Sequence, residues 1–170
     1  MAVPDCKLLV WSDPPRAFLK IVGKATAPAA PDFVSLLQRL QSQGHESFVF
    51  ELSSCLLIDS TFVGHLAQLA LHHSQQNPNA ASRIVLVNPA AHITELLDTI
   101  FVLDLFQVIH DAEASAPRPD AIATDCANHS RDEVNQCCLE AHRFLAALAP
   151  DNAAKFEDVI RFLEQNIVKP

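Results

Sequence analysis

The pattern of apolar and polar positions predicts that strands and helices alternate over the first two thirds of the chain. Short β-branched and aromatic runs indicate five strands, at 7–11, 17–23, 48–52, 83–87 and 105–109. Apolar residues at helical spacing predict helices over 28–43 and 61–76, and a third helix that begins at Asn88 and Pro89. Strands separated by helices favour parallel crossovers, although the first two strands are close enough in sequence to pair antiparallel. We therefore predict a mixed α/β sheet of about five strands with helices packed on it.

The remaining third of the chain has a different pattern. Between 112 and 129 the composition shifts to Ala, Asp, Ser and Pro, and Pro117 and Pro119 exclude a continuous helix. We predict a sheet domain at 1–111, a linker at 112–129 and a helical extension at 130–170.

The sequence predicts that the helical extension is an antiparallel hairpin. Ser130 followed by Glu133 is a capping box, and an apolar stripe follows it; a second helix with its own apolar side begins after Pro150. Each helix has one apolar face, and the two cannot bury both faces against each other alone. The hairpin should therefore dock on the sheet domain of its own chain, or else pair with another protomer, as in a homodimer, or with a partner protein.

A polar step after the strand at 48–52 carries the candidate site. Asp59, Ser60 and Thr61 stand where the next helix begins. A serine there is a natural N-cap, because its oxygen can accept a hydrogen bond from a free amide of the first turn. The same amides and the positive end of the helix dipole would also stabilise a phosphate on that serine. The residues alone leave both interpretations of Ser60 open, a cap and a site of reversible modification.

This arrangement resembles the STAS family of anti-sigma factor antagonists over about two thirds of the chain. The resemblance lies, in order and spacing, in the strand, the Asp59-Ser60-Thr61 step, the helix after it, Arg83-Ile84-Val85-Leu86-Val87-Asn88-Pro89, Leu96-Leu97 and Leu105-Phe106. In that family an Asp-Ser-(Ser/Thr)-Gly step carries the regulatory phosphoserine, and Ser60 falls on this position. The family usually has glycine where this chain has Phe62.

The resemblance implies a STAS-like fold and a binding switch, without catalytic residues or a cofactor. Asp59, Ser60, Thr61 and Phe62 would contact the partner, and Ser60 would take the phosphate. The implied partners are an anti-sigma factor that is also a serine kinase, and a serine phosphatase that resets the switch. Two rival functions stay open: a constitutive scaffold in which Ser60 is only a cap, and a STAS-like module that senses a ligand.

Charge and composition narrow the classes of partner. The formal charge is −8, shared by both parts of the chain, so neither part has the basic surface that nucleic acid binding requires. No apolar run is long enough to span a bilayer, and the first residues lack the pattern of a signal peptide, so we expect a cytoplasmic protein. Five cysteines without regular spacing favour reduced thiols over a disulfide framework.

Two other kinds of chemistry fit the sequence less well. His65 lies close to Ser60 along the chain, but a hydrolase serine needs a glycine-flanked turn, and neither neighbour of Ser60 is glycine. Cys138 and His142 are one helical turn apart, but the paired Cys-x-x-Cys knuckles of structural zinc sites are missing. We therefore expect neither an enzyme nor a metal site.

Overall fold

A computed structural model describes residues 5–79, 84–115, 118 and 120–167. The strands in these residues are β1 (Lys7–Asp13), β2 (Arg16–Ala25), β3 (Ser47–Glu51), β4 (Cys55–Ile58), β5 (Ile84–Val87), β6 (Phe106–Ile109) and β7 (Ile122–Asp125). The α-helices are α1 (Ala30–Ser42), α2 (Ser60–Gln76), α3 (Ala91–Thr99), α4 (Arg131–Leu148) and α5 (Pro150–Asn166). The predicted fold class, a mixed α/β sheet with packed helices and a C-terminal helical hairpin, is confirmed. Arg83, Pro117 and Pro119 lie outside the described residues.

The sheet has the order β6-β5-β3-β2-β1-β7, and β4 pairs separately with β2. β1 is antiparallel to β2, as predicted, while β2, β3, β5 and β6 are parallel neighbours. From β2 to β3, β5 and β6, each parallel strand lies next to the preceding one in the same direction across the sheet. Right-handed crossovers of this kind place their helices on one face, so α1, α2 and α3 share a side of the sheet. Phe33 of α1 stacks on Phe62 of α2 with ring centroids 4.1 Å apart and meets Phe50 of β3 edge-on at 6.0 Å. The core lies between this helix layer and the sheet.

Two strands were not predicted from the sequence. The ten-residue β2 pairs with β3 along its first half and then with β4 from Gly23 to Ala25. β7 pairs antiparallel with β1 and lies inside the predicted linker at 112–129. That segment is therefore not irregular throughout, because the open edge of β1 offers unpaired backbone groups to an extended segment. The domain boundaries at 111 and 129 stay a prediction.

The C-terminal helices α4 and α5 pack on each other and on the sheet domain of their own chain. The Ser130 side chain accepts a hydrogen bond from the Glu133 amide, and the Glu133 carboxylate accepts one from the Ser130 amide, which completes the predicted capping box. Leu145 of α4 and Phe156 of α5 belong to the same buried core as the residues of α1, α2 and β3. The structure therefore shows the first of the arrangements expected for the hairpin, in which it docks on the sheet domain of its own chain.

Candidate functional site

The start of α2 is organised by Asp59 and not by Ser60. The Asp59 carboxylate accepts a hydrogen bond from the Phe62 amide at 3.0 Å and another from the Ala27 amide at 2.7 Å. Asp59 is the N-cap, and Ser60 takes the first helical position, so the interpretation of Ser60 as the cap is wrong. Aspartate and serine are about equally good caps. The bond to Ala27, which ties α2 to the turn before α1, gives Asp59 a second role in addition to the cap.

The hydroxyl of Ser60 lies beneath α4. Ser60 Oγ is 2.9 Å from Nε2 of His142, a residue that is only 6% exposed. The other ring nitrogen, Nδ1, is 2.6 Å from the carbonyl oxygen of Cys138. Since a carbonyl can only accept, Nδ1 carries the proton, and Nε2 of the neutral ring accepts the hydrogen bond that Ser60 donates. The half-buried Ser60 thus differs from the freely exposed hydroxyl that a helix start suggests.

The two residues after Ser60 face inward. Thr61 is 3% exposed, and its hydroxyl donates to the sulfur of Cys138 at 3.3 Å. Phe62 is fully buried, and its ring stacks on Phe33. The residue that replaces the usual glycine therefore contributes to the core, and Ser60 is covered by α4 and not by Phe62. Among the four predicted contact residues, Asp59 and Ser60 keep exposed surface, while Thr61 and Phe62 are covered.

Gly64 brings the backbones of α2 and α4 together. A Cβ at Gly64 would lie 2.6 Å from the Ala141 Cβ and 2.9 Å from both the Cα and the carbonyl oxygen of Ala141. At the next residue, Nε2 of His65 donates to the carbonyl oxygen of Cys137 at 2.9 Å. The first turns of α2 therefore bind α4 through polar contacts around a point where only glycine fits.

Sequence reasoning missed His142, Ala141 and Gly64 as parts of this site. Ser60 and His142 are 82 positions apart, so no local pattern connects them. One signal was present: His142 follows Ala141, which lies in the apolar stripe of the predicted helix, and a histidine beside such a stripe needs a polar partner when it is buried.

Burial shifts both histidines of the contact between α2 and α4 toward the neutral form. Desolvation lowers the pKa of His142 below its usual 6.5, while the hydrogen bond to Cys138 and the charge of Asp59 oppose this shift. Desolvation likewise lowers the pKa of His65; the bond to Cys137 and the charge of Glu140 oppose the shift, and His142 adds to it. Neutral rings are therefore part of the docked state.

The docked hairpin should lose stability as the solution becomes acidic. A histidine whose pKa is lower in the folded than in the unfolded chain contributes its full stability above the unfolded pKa of 6.5 and loses it as pH falls toward the folded pKa. The free energy of unfolding, measured in urea at a series of pH values below 7, should show this loss. The loss should be smaller in His142→Gln and in His65→Gln. Gln68→Ala, at an exposed and uncharged position of the same helix, provides the control and should leave the pH profile unchanged. Equal profiles for all three variants would contradict the assignment.

The arrangement supports a switchable contact better than a catalytic serine. A neutral histidine that accepts a serine hydrogen bond could act as a base. However, Asp59 already occupies the Phe62 amide and places a negative charge where an oxyanion would form. A groove of about 470 Å³ between α1, α2 and α4 has a lining rich in glutamine, and one of about 490 Å³ lies near Gly44; neither includes Ser60. The polar linings of these two grooves differ from the mostly apolar lining of a typical ligand site.

The described residues offer neither a metal site nor a membrane-spanning helix. No group of three or more His, Cys, Asp or Glu side chains there is placed to hold a metal ion. Within the same residues, none of the helices combines the length and apolar character that crossing a bilayer requires.

Fold and site together define a class of protein. It is an α/β domain in which one helix starts with an aspartate cap followed by a serine. The C-terminal hairpin of the same chain covers that helix start. No protein-family model matches the sequence, and no curated protein sequence matches it.

Two solved structures of SpoIIAA, an anti-sigma factor antagonist, are similar to the chain. The unphosphorylated form has 16% sequence identity and a TM-score of 0.49, and the match covers 63% of this chain and 91% of that chain. The phosphorylated form, described as a Bacillus cell fate determinant, has 17% identity and a TM-score of 0.45, with 62% and 93% covered. Likeness at this level carries no functional conclusion by itself.

Proposed function

We propose that this protein is a STAS-like binding switch of the anti-sigma factor antagonist type, controlled by phosphorylation of Ser60. The unphosphorylated form binds an anti-sigma factor that is also a serine kinase. Transfer of phosphate to Ser60 ends that complex, and a serine phosphatase restores it. The proposal places these partners and this chain in the cytoplasm, where the switch regulates transcription.

One observation supports the proposal most directly: the Ser60 hydroxyl stands at the first position of α2 and points into a contact between helices, next to the charged Asp59. A phosphoserine carries about −1.5 to −2 charges at neutral pH. The amides of the first turn favour such a charge, but any surface packed over Ser60 must desolvate it, and Asp59 adds a like charge. A phosphate at this position therefore changes protein binding without disturbing the sheet.

Phosphorylation of Ser60 is tested with ATP and candidate anti-sigma factor kinases, followed by mass spectrometry of the peptides. We expect phosphate on the peptide that contains Ser60 and none at that position in Ser60→Ala. Thr61→Ala is the matched control and should keep the modification, because the Thr61 hydroxyl is buried against Cys138. The unphosphorylated form should bind the kinase at least about tenfold more tightly, a difference of about 1.4 kcal/mol. Absence of phosphate with every candidate kinase, or equal binding of both forms, would exclude the switch.

A constitutive scaffold is the second candidate function, and the half-buried state of Ser60 favours it. In this function Ser60 only packs against His142, and the hairpin supplies an assembly surface around Phe162, which is 55% exposed on α5. A scaffold of this kind predicts a homodimer in light scattering that becomes a monomer in Phe162→Ser. It also predicts that Ser60→Asp binds partners as tightly as the wild type.

A further inference from the structure

The contact between α2 and α4 is specific in shape. Gly64 leaves no space between the two backbones, since even one added carbon would lie 2.6 Å from the Ala141 side chain and 2.9 Å from its backbone. Backbone atoms cannot rotate away as a long side chain can. The surface of α2 at this point therefore accepts only a helix with a very small residue opposite Gly64.

The rim of the same surface is specific in chemistry. Ser60 donates to His142, Thr61 donates to the sulfur of Cys138, and His65 donates to the carbonyl oxygen of Cys137. Each polar side chain that α2 presents here thus has its partner on α4. A surface with a small central contact and a satisfied polar rim has the anatomy of a helix-binding site.

A phosphate on Ser60 cannot share this surface with α4. The Ser60 oxygen is already at hydrogen-bond distance from Nε2 of His142, so phosphorus and three oxygens have no room between them. The ring of His142 cannot withdraw freely, because it packs on Phe156 with centroids 5.1 Å apart. In its neutral form, with the proton held on Nδ1 by Cys138, the ring offers the phosphate a lone pair and no donor.

We propose that the face of α2 from Ser60 to His65 is a helix-binding surface, that α4 is its occupant in this structure, and that a phosphate on Ser60 releases α4. This inference rests on the proposed function only for the claim that Ser60 is modified in the cell. A second protein that binds the surface must displace α4 and bring a helix with a residue no larger than alanine opposite Gly64. The hairpin therefore competes with the partner of the switch.

Release of the hairpin would also uncover apolar surface on the hairpin itself. The residues of α4 and α5 that are buried in the docked state are Leu139, Ala141, His142, Leu145, Asn152, Phe156 and Leu163. One anchor stands apart from α2: the side-chain amide of Asn152 donates to the carbonyl oxygen of Ile100 at 2.8 Å. Because α4 and α5 are joined through Ala149 alone, we expect loss of the α4 contact to loosen the Asn152 anchor as well.

The test installs phosphoserine at position 60 of the full chain during translation, so that no kinase is needed. Cys138 lies at the contact between α2 and α4, while Cys55 lies in the core of the sheet domain, so the two thiols report on release and on the fold separately. We expect alkylation of Cys138 to become at least about tenfold faster with phosphoserine than with serine, with Cys55 unchanged. Hydrogen exchange of the α4 amides should accelerate in parallel, and that of the β3 amides should not.

A companion variant separates crowding from a general effect of charge. His142→Ala removes the ring that leaves no room for the phosphate, so phosphoserine in this background should accelerate alkylation of Cys138 far less than in the wild-type background. The proposal is overturned if phosphoserine leaves Cys138 as protected as serine does, or if it protects Cys138 further. It is also overturned if Cys55 reacts equally fast, because the sheet domain must survive the release. Failure of kinases to label Ser60 would contradict the proposed function and would leave this result unaffected.

Discussion

Replacing Gly64 with alanine should push α4 away from α2, although alanine is the better helix former. In an exposed helix the change would stabilise by about 1 kcal/mol. Here the added methyl group would meet Ala141 at 2.6 Å, and the nearby backbone atoms at 2.9 Å leave no flexible group to move aside. We expect a net loss of about 1–3 kcal/mol in the free energy of unfolding, the usual cost of overpacking. Urea unfolding measures this loss, and alkylation of Cys138 should become faster at the same time.

Two variants control this prediction. Ala141→Gly in the Gly64→Ala background removes the closest contact and should restore part of the lost stability, because the Cα and carbonyl oxygen of residue 141 remain near the new methyl group. Gln68→Ala adds helix propensity to the same helix at an exposed position and should be neutral or slightly stabilising. If Gly64→Ala stabilises the chain as an exposed glycine substitution would, α4 does not pack against α2 at this position.

The spacing of apolar residues along the sequence predicted those helices and strands in which one face lies in the core and the other faces solvent. The helices around Phe33 and Phe62 follow the apolar spacing of the sequence, and the capping box at Ser130 follows from its residue types. β4 and β7 could not be found in this way. Leu56 and Leu57 of β4 are adjacent and both exposed, which gives no alternation, and this strand forms because β2 extends beyond its pairing with β3. β7 is held by the backbone of an edge strand, which does not depend on side-chain pattern.

The candidate site was predicted only in part, because local sequence pattern shows where a helix begins but not which distant residues contact it. A polar step before a helix identified Ser60 as a residue at the helix start, but the long-range bond from the Ala27 amide that distinguishes Asp59 from Ser60 has no local signal. Asn88 was expected to begin a helix, yet its side chain pairs with the backbone of Asp111, and α3 begins three residues later. Partners that are distant along the chain decide such details, and propensity alone does not select among them.

Lys20→Met should destabilise the whole sheet domain and leave the contact between α2 and α4 intact until the protein unfolds. Lys20 and Glu51 pair across β2 and β3 on the face opposite the helices, because their neighbours Leu19 and Phe50 point into the core. The ion pair measures 3.2 Å, and the residues are 8% and 3% exposed. Loss of one partner of a buried pair costs about 3–5 kcal/mol, because the other charge remains buried. Ser53 donates twice to the Glu51 carboxylate and keeps the expected loss near the lower limit.

Urea unfolding of Lys20→Met, Glu51→Leu and the double variant measures this coupling. The double variant should recover most of the loss, since two apolar residues replace a buried pair at little cost. Native-state hydrogen exchange then separates the two kinds of instability: Lys20→Met should accelerate the slowest amides of β3 and α4 together, whereas Gly64→Ala should accelerate α4 and α5 first. If Gly64→Ala accelerated the β3 amides together with those of α4, the hairpin would not be a separately releasable unit, and phosphorylation of Ser60 could not free it. The proposed competition between hairpin and partner therefore requires the two variants to differ.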